Sequence, residues 1–510
     1  MNSMIYLAEV DAAIDSLGTL TTLRFSTGGF TTAPTDTPPS AYYEPRINVP
    51  ALITRTMFSD ATTGGPSQVS YGTMDLSNVD GGLDYMLTYG FDNRKIRILV
   101  GDPTQPYGTF TVAFRGTMEQ PELTRTIASI VLHDRQAELD MLLCRHRYGG
   151  TNVLPAGLDG TVDILGAAVP RLYGTVFNIT PILVNTSLLI YQVHDGAISD
   201  VPAAYDSGSA LTRGTDYTTL ADLSNTAPAS GTYRVYKAGG YFRVGSKPAL
   251  LTCDAKAGAT AAARTTAQIL NQLALDMGLT GTDISAPDIA ALDALSGAEC
   301  GIWISDDTTG LTAMDAVAAS AGAYVGFDRL GNFRMAQLHI PSGTPVALFD
   351  SSNITDIDRV LNNDANKGIP SYRVTTTYAK NYTVQTSGLA TGITAARQNI
   401  LGMANQQQKA EDLTVITKNL SSPVMKRDTC LVSASDALAE ATRLLNIFKV
   451  LFNTFTVTIK LDAPTIAALD LGAVVQITFN RFGMNAGKLL VVLGIESDYA
   501  GNTAVLTVWG

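Results

Sequence analysis

The end of the chain carries the pattern that most constrains its fold. The stretches Leu471–Phe479, Gly487–Ile495 and Thr503–Trp509 alternate apolar with polar or small residues over at least part of their length, which is the period of a half-buried strand. The connections Asn480–Ala486 and Glu496–Asn502 contain Gly, Asn and Asp, which tolerate the tight backbone angles of turns. The sequence therefore predicts a β-meander that closes the protein without a tail.

Length and composition extend this prediction to the whole chain. A chain of 510 residues is too long for one core and should hold about three or four domains. Charged residues make up only 16% of the sequence and apolar residues 45%, with 45 Gly. This mixture favours strands and turns over long solvated helices. We therefore expect a β-rich protein.

Residues 1–150 are predicted to form a first β domain, a barrel or a sandwich. Thr22–Phe25 and Phe110–Arg115 alternate apolar and polar residues, and Ile127–Leu132 is a fuller apolar run. Thr27–Pro50 is rich in Thr, Pro and Gly, and its prolines exclude a helix. This segment is either an arm that reaches a neighbouring subunit or a surface loop on its own subunit.

The middle of the chain is predicted to contain two further domains. Residues 151–258 form a second β domain of short strands, with a loop-rich excursion at Asp206–Thr232. Residues 259–340 form a small α/β domain, because apolar residues recur at helical spacing and a hairpin pattern follows them. Its predicted elements are the helices Ala261–Met277, Ile289–Leu295 and Thr312–Ala321 and the strands Ala323–Phe327 and Phe333–Gln337.

Residues 341–510 are predicted to return to β structure. Tyr372–Tyr378 and Phe455–Leu461 are strands, and a helix capped by Ser435 runs to about Lys449. A strand-rich barrel with one helix packed on its outside follows from this pattern. The predicted fold class is thus mainly β with a small α/β part (α+β), in a multidomain chain.

Charge and cysteine content limit the kinds of function. A net charge of −11 argues against a surface that grips nucleic acid by neutralising phosphates. The cysteines Cys144, Cys253, Cys300 and Cys430 are far apart in sequence, which favours four reduced thiols over a metal or iron–sulfur site. The sequence shows no export signal and no long apolar span, so we expect a protein assembled in the cytosol.

Two glycine-rich stretches have partial likeness to a nucleotide-binding loop. Gly240–Lys247 has the spacing of a P-loop, but Ser246 stands where the lysine should be and Pro248 blocks the following helix. Gly483–Lys488 is one residue too short and is interpreted as a hairpin turn. We therefore predict no cofactor-binding residues and no cofactor.

Other candidates for chemistry also favour a structural interpretation. Asp75–Asp84 suggests a calcium loop but fails its acidic spacing, so a Gly-rich turn held by Asx hydrogen bonds is expected. None of the four histidines has a partner at metal-ligand spacing; they are His133, His146, His194 and His339. Asp306 and Asp307 are interpreted as part of a loop. No catalytic and no metal-binding residues are predicted. A pair of carboxylates that cleaves sugars stays open, because such a pair is defined in space.

Five stretches resemble one family of proteins. They are the C-terminal order LGAVVQIT…RFGMNAGKLLVVLGIESDYAGNTAVLTVWG and the segments Gly72–Asp92, Leu132–Asn152, Gly239–Asp254 and Ser371–Gln385. Together they resemble the baseplate hub, or tail-tip hub, of tailed bacteriophages, of the siphophage type and related in architecture to contractile-tail hubs. The resemblance implies two tube-like β-barrels per chain, here residues 1–150 and 341–510, and a homotrimer of pseudo-sixfold symmetry.

The resemblance also implies a place and partners in the virion. A hub is a structural protein at the distal end of the tail, which joins the tail tube to the tip and lets DNA pass. Its partners would be sister copies, the tail tube or distal tail ring, the tape-measure protein and the central fibre or receptor-binding proteins. The alternatives are a tail-associated cell-wall or glycan hydrolase and a host-binding adhesin. We expect no enzymatic activity, because no catalytic motif occurs.

Overall fold

The structure is a computed structural model that describes residues 4–153 and 157–510. Residues 1–3 of the predicted first domain and residues 154–156 of the predicted second domain lie outside the described residues. Strands dominate the chain and helices are short. The prediction of a mainly β chain with a smaller helical part is confirmed.

The strands and helices follow one another in three stretches of chain. The first holds strands only: β1 Ile5–Ala13, β2 Leu20–Ser26, β3 Phe30–Thr31, β4 Tyr42–Tyr43, β5 Ile47–Thr56, β6 Tyr71–Ser77, β7 Arg94–Gly101, β8 Thr111–Met118, β9 Glu122–Leu123 and β10 Ile127–His133. The second is mixed: β11 Arg171–Ile179, β12 Ile182–Asn185, β13 Ile190–Gln192, β14 Asp200–Asp206, β15 Ser209–Ala210, β16 Thr212–Arg213, α1 Leu220–Asn225, β17 Thr232–Tyr236, β18 Tyr241–Val244, β19 Leu251–Lys256, α2 Thr266–Asp276, α3 Ala286–Leu295, β20 Gly301–Ile304, α4 Gly310–Ala318, β21 Ala323–Phe327 and β22 Phe333–Gln337. The third completes the chain: β23 Ala347–Phe349, β24 Ile354–Val360, β25 Arg373–Tyr378, α5 Ala395–Leu401, β26 Gln406–Glu411, α6 Thr414–Lys418, β27 Val424–Arg427, α7 Ala434–Phe448, β28 Thr454–Lys460, α8 Ala463–Ala468, β29 Val474–Ile477, β30 Lys488–Asp498 and β31 Thr503–Trp509.

One sheet of 14 strands joins the two ends of the chain. Its main order is β2-β1-β7-β8-β10-β6-β5-β30-β31-β28-β24, and β9, β23 and β29 extend it at the sides. The two halves meet in the antiparallel ladder between β5 and β30, in which Leu52 pairs with Asp498 and Thr56 with Gly494. Buried residues from both halves, such as Ile98 and Leu506, belong to one apolar core.

The sheet corrects the expectation of closed barrels. A barrel has no free strand, because its first and last strands pair. Here the end strands β2 and β24 are not neighbours, and no ladder between them occurs in the described parts of the chain. Instead, the N-terminal strands and the C-terminal strands lie side by side in one sheet. The sheet therefore stays open.

The second β region is a sandwich. One sheet has the order β15-β14-β19-β11-β20 and the other β12-β13-β18-β17-β16. Val176 and Val201 of the first sheet and Val235 and Phe242 of the second share one apolar core, as expected where two half-buried sheets pack face to face. The excursion 206–232 is less irregular than predicted, because it contains α1 and two short strands.

The three predicted helices of the middle region form, but their starts differ: α2 begins at Thr266 and not at Ala261, α3 at Ala286 and not at Ile289, and α4 at Gly310 and not at Thr312. The Thr265 side chain accepts a hydrogen bond from the Gln268 N–H and caps α2, and Gly278, with a φ of 104°, follows its end. Thr309 caps α4 in the same way. The predicted hairpin forms as β21 and β22, with Phe327 paired to Phe333.

Helix α7 lies between the large sheet and a small one. Its buried face, which includes Leu444 and Phe448, shares a core with Leu493 and Trp509 of the large sheet. The small sheet has the order β26-β25-β27. The helix begins two residues earlier than predicted, because the capping side chain that accepts from the Asp436 N–H is that of Ser433 and not Ser435. The C-terminal region also holds the short helices α5, α6 and α8, which the sequence interpretation missed.

The C-terminal meander is confirmed. Strands β29, β30 and β31 are antiparallel neighbours, and β31 then pairs with β28 along its whole length. Strand β30 continues past its predicted end to Asp498, because its last residues pair with β5. The meander thus forms the seam between the two halves of the large sheet.

Candidate assembly surfaces and clefts

Strand β2 forms an end of the large sheet that is covered over only part of its length. The Ser26 N–H donates to the Glu44 carbonyl at 2.6 Å, and the Glu44 N–H donates to the Arg24 carbonyl at 3.0 Å. Residues of even number therefore direct their backbone groups away from β1. By the two-residue period of a strand, the N–H of Thr22 points outward as well. The start of β2 is an open sheet edge.

Exposed apolar side chains surround this open edge. Leu17 is 91% exposed and Leu20 57% exposed in the turn between β1 and β2. The base of that turn bonds to a second loop, since Ala13 and Gly90 exchange two backbone hydrogen bonds of 2.9 Å. The second loop adds the exposed Leu87. Clustered apolar surface at an unpaired strand is typical of an interaction site.

The opposite end of the sheet differs in chemistry. Strand β24 pairs only with β28, and its exposed positions include Asp356 and Asp358. Leu361, just after the strand, is exposed. This edge combines carboxylates with an exposed leucine, whereas the β2 edge is mainly apolar.

The segment 27–50 packs on its own chain. Strands β3 and β4 pair with each other, and Tyr43 is fully buried. Its hydroxyl donates to a Glu9 carboxylate oxygen at 2.5 Å. The rings of Phe30 and Phe110 lie 5.0 Å apart. Part of this segment is thus a loop held on its own subunit, and contact with a neighbouring subunit stays a prediction.

A buried polar junction ties three regions of the chain together. Arg55 of β5 donates to the Phe327 carbonyl at 2.8 Å and to the Asp470 carboxylate at 2.6 Å. Asp134 lies in the same buried cluster and accepts hydrogen bonds from the N–H groups of Ser70 and Gln136. Burial raises the pKa of the Asp134 carboxyl, although these hydrogen bonds and the charge of Arg55 oppose the shift.

Sequence reasoning missed this junction, although a signal for it exists. Ala51, Ile53 and Arg55 occupy the same face of β5, and all three are buried. A single arginine at one of the otherwise apolar positions of an alternating strand indicates a buried charge. Such a charge needs a partner, because an unpaired charge is costly to remove from water.

A charged cleft of about 490 Å³ lies between the large sheet and the helical region. Three of its four carboxylates are paired with arginines: Glu9 with Arg97, and both Glu138 and Asp283 with Arg135. The fourth, Asp11, accepts from the Thr22 hydroxyl. Burial raises the pKa of Glu9, but hydrogen bonds from two tyrosines and the charge of Arg97 outweigh it and lower the pKa. The lowered pKa values of Glu9 and Asp283 are unlike that of a general acid poised near neutral pH.

The two P-loop-like stretches are ordinary β structure. Tyr241–Val244 is strand β18 and pairs with β13 and β17 on both sides. Gly240 has a φ of 71° and starts this strand. Gly483 lies in the turn between β29 and β30, and the Lys488 ammonium donates to the Gly510 carbonyl at 2.9 Å. Neither stretch forms a loop before a helix, so the geometry of a phosphate cradle is absent from both described segments.

The interpretation of Asp75–Asp84 as a turn is confirmed. The Asn78 side chain accepts from the Leu83 N–H at 2.8 Å, and the Asp80 side chain accepts from the Gly82 N–H at 3.0 Å. These are Asx hydrogen bonds within the loop. Across residues 4–153 and 157–510, no group of three or more His, Cys, Asp or Glu side chains is arranged to hold a metal ion.

The four histidines lie apart and each has a local partner. His133 contacts Glu119 and His146 contacts Asp195. His194 is partly buried, its Nδ1 accepts from the Leu172 N–H, and desolvation lowers its pKa to about 4. His339 lies near its own strand's backbone.

The cysteines and the Asp306–Asp307 loop also match their interpretation. The four thiols are free, and burial raises the pKa of Cys144 to about 11. Asp306 accepts from the Thr308 N–H within the loop, and Asp307 pairs with Arg147. No helix among the described residues is long and apolar enough to cross a membrane.

Solved structures similar to this chain include tail proteins. The tail protein from Neisseria meningitidis MC58 is 9% identical, with 99% of this chain and 96% of that chain covered and a TM-score of 0.44. The 43 kDa tail protein of prophage MuSo2 from Shewanella oneidensis is 10% identical, with 99% and 98% covered and a TM-score of 0.40. A chain from the virion of a native gene transfer agent particle is 14% identical, with 68% and 84% covered and a TM-score of 0.43.

No model of a protein family matches the chain, and no curated protein matches it. The TM-scores lie below 0.5. The description of the fold therefore rests on the sheet topology of this chain.

Proposed function

We propose that the chain is a structural baseplate hub at the distal end of a phage tail. The observation that carries the proposal is the open sheet, in which strands from the two ends of the chain lie side by side and the end strands β2 and β24 each pair on one side only. Unpaired edges invite pairing with another chain. A protein that forms a ring uses such edges to close on sister copies.

The proposed ring is a homotrimer of pseudo-sixfold symmetry. Each chain supplies two tube-like units, one from residues 1–150 and one from residues 341–510. Three chains then offer six similar faces to a sixfold tail tube. Closure into a barrel is a property of the ring in this proposal, because each single sheet is open. The regions 151–258 and 259–340 face outward or towards the tip.

The position in the virion defines the proposed partners. The ring contacts the tail tube or a distal tail ring above, the tape-measure protein in its channel, and the central fibre or receptor-binding proteins below. DNA passes through without being bound. The net charge of −11 supports free passage, because an acidic wall repels phosphates. The proposal assigns the chain no catalytic role.

Particle mass and symmetry test the proposal directly. We expect light scattering to give a mass three times that of the 53.9 kDa chain, and electron microscopy to show a ring with an open centre. A tail-tube protein should cap this ring in a mixed sample. A particle that stays monomeric alone and with the tube protein would exclude a hub.

The open edge of β2 allows a sharper test. A Thr22→Pro change removes the outward N–H and keeps the ladder to β1, because proline is tolerated where a strand faces outward. We expect the variant to fold and the trimer to dissociate. Thr22→Val is the matched control, since it loses only the side-chain hydrogen bond to Asp11 and keeps the N–H. If Thr22→Pro still forms the ring, β2 is not part of the subunit interface.

A further inference from the structure

Strand β27 and the loops opposite it enclose a groove that the ring proposal does not use. Two cavities, of about 450 and 440 Å³, share Gly64, Lys426 and Arg427 in their walls. All four residues of β27 line the second cavity. Their volumes are in the range of ligand-binding clefts.

β27 is an edge strand on the side of this groove. It pairs with β25 in parallel register, from Arg373 opposite Val424 to Thr376 opposite Arg427. It has no second neighbour in the sheet order. Its outer backbone groups make no hydrogen bond to another strand of the described chain, so an extended segment can add there.

Two cations, Lys426 and Arg427, line both cavities, and of these Lys426 is exposed whereas Arg427 is partly buried. Arg427 makes no hydrogen bond and no ion pair with any described residue. Burial lowers the pKa of its guanidinium, although the charges of Asp364 and Glu440 oppose the shift. A partly buried arginine of this kind leaves a planar, five-donor group ready for a carboxylate.

The acidic groups around Arg427 are engaged elsewhere or exposed. The Asp364 carboxylate accepts from the N–H and hydroxyl of Thr63. Asp315 accepts from the N–H and hydroxyl of Ser67. Asp428 is exposed at the rim. The other arginine of the groove, Arg443, is already paired with Glu440. None of these carboxylates bonds to Arg427, so the donors of its partly buried guanidinium are free for a ligand.

A second polar group in the wall is also unpaired. Ser371 is fully buried, and its hydroxyl has no hydrogen-bond partner among the described residues. It lines the same cavity as Arg427. Buried polar groups without a partner are rare and costly. This hydroxyl and the guanidinium together indicate a polar ligand at one end of the groove.

The other end of the groove is apolar. The first cavity is lined by the apolar side chains of Phe58, Leu338, Leu444, Ile447 and Phe448. A ligand that fits both ends needs an apolar side chain and a carboxylate on one extended backbone. The distance between such groups in a strand is set by its two-residue period.

We propose that this groove binds an extended peptide segment of a partner protein, which adds as a strand to β27, places an apolar side chain in the first cavity and bonds a carboxylate to Arg427. The segment carries a carboxylate at this position, because the Arg427 guanidinium has no ionic partner among the described residues. The inference stands apart from ring formation, since neither β2 nor β24 takes part. It gives the chain a way to hold a flexible segment of another protein.

Peptide binding to the full-length chain tests the inference. The probe is the fluorescein-labelled peptide Thr-Val-Ser-Leu-Thr-Glu with a C-terminal amide, and its partner probe ends in Gln. Fluorescence anisotropy should show saturable binding of the Glu peptide and at least about tenfold weaker binding of the Gln peptide, since a hydrogen bond to a charged group is lost. A third probe with N-methylated alternate residues should not bind, because it cannot pair with a strand.

Variants connect the peptide carboxylate to Arg427. Arg427→Gln should weaken binding of the Glu peptide by the same factor of about ten and leave binding of the Gln peptide unchanged, as a double-mutant cycle requires. Lys409→Gln is the matched control, because it removes the same charge from an exposed residue on the opposite edge strand β26. Hydrogen exchange on the unaltered chain adds a measurement without a variant: the amides of β27 should gain protection when the Glu peptide binds.

Three results would overturn the inference. The first is equal affinity for the Glu and Gln peptides. The second is binding of inorganic phosphate at Arg427 that the peptides do not compete with, which would indicate a free-anion site. The third is self-association of the chain that Arg427→Gln abolishes, which would make the groove an interface between copies.

Discussion

Arg55 and Arg427 show how the same side chain serves two different purposes. Arg55 is buried, and it is bonded to the Phe327 carbonyl and the Asp470 carboxylate. Arg427 is partly buried and has no hydrogen-bonding or ionic partner in the described chain. The Arg55 guanidinium has its acceptors within the same molecule, whereas the proposed acceptor of the Arg427 guanidinium is on a bound ligand. Burial alone therefore does not distinguish a structural charge from one that binds a ligand. The presence or absence of hydrogen-bonding partners within the chain makes that distinction.

The position of each arginine fits its purpose. Arg55 lies on a central strand, where it connects the N-terminal strands with the hairpin β21–β22 and with the loop before β29. Arg427 ends an edge strand that borders two cavities. A fixed polar network in a core specifies how regions pack. An unpaired cation at an edge specifies what can bind there.

Replacement of Arg55 should have the largest effect. In Arg55→Met the Phe327 carbonyl and one oxygen of Asp470 lose their donor, and we expect a loss of about 3 kcal/mol or more in the free energy of unfolding. Urea unfolding measures this as a lower midpoint at an unchanged slope. Arg55→Lys should recover part of the loss, because a lysine reaches fewer acceptors.

An exposed arginine provides the control. Arg125 is exposed and has no ion pair among the described residues, so Arg125→Met should change stability by less than about 0.5 kcal/mol. If Arg55→Met and Arg125→Met have similar stability, the junction does not hold the regions together.

The sequence predicts the local parts of this architecture. The alternation in Thr503–Trp509 and the cap and stop residues around α2 and α4 act over a few residues, and these elements are observed. The turn at Asp75–Asp84 depends on Asx side chains within the loop, and it was also predicted. Each of these features is determined by near neighbours in the chain.

The sequence does not predict contacts between distant parts of the chain. The ladder between β5 and β30 pairs Thr56 with Gly494, and no local pattern selects one distant strand over another. For that reason two separate barrels were expected where one open sheet is found. The unpaired state of Arg427 was missed for the same reason, since it depends on what the loops around residues 64 and 364 bring near it.

Asp134, beside Arg55, should give the junction a pH dependence. Its folded pKa is raised, so the folded chain binds a proton more readily than the unfolded chain, whose carboxyl titrates near about 3.9. The stability from this group is present below that pH and is lost as pH rises through the folded pKa. Asp134→Asn should remove this decline, which unfolding free energies measured from pH 4 to 7 will show.

Asp283 in the charged cleft supplies a comparison of opposite sign. Burial raises its pKa, but hydrogen bonds from Thr280 and Arg135 outweigh it and lower the pKa to about 2. Its contribution is present above about 3.9 and is lost as pH falls towards the folded pKa. Asp283→Asn should therefore reduce the loss of unfolding free energy that occurs as pH falls below about 3.9. If Asp134→Asn and Asp283→Asn change the unfolding free energy on the same side of about pH 3.9, the pKa values of the two carboxyls are not shifted in opposite directions.

Replacement of Arg427 should have the smallest effect and the opposite direction to that of Arg55. Its charge is partly removed from water without a compensating partner, so Arg427→Met relieves a cost and leaves no buried group unpaired. We expect a gain in stability of less than about 1 kcal/mol, measured by the same urea unfolding. A clear loss would mean that the guanidinium has a structural partner, and Arg427 would then belong with Arg55. A small gain together with lost peptide binding would separate the two arginines, because a residue that binds a ligand has no need to stabilise the unbound fold.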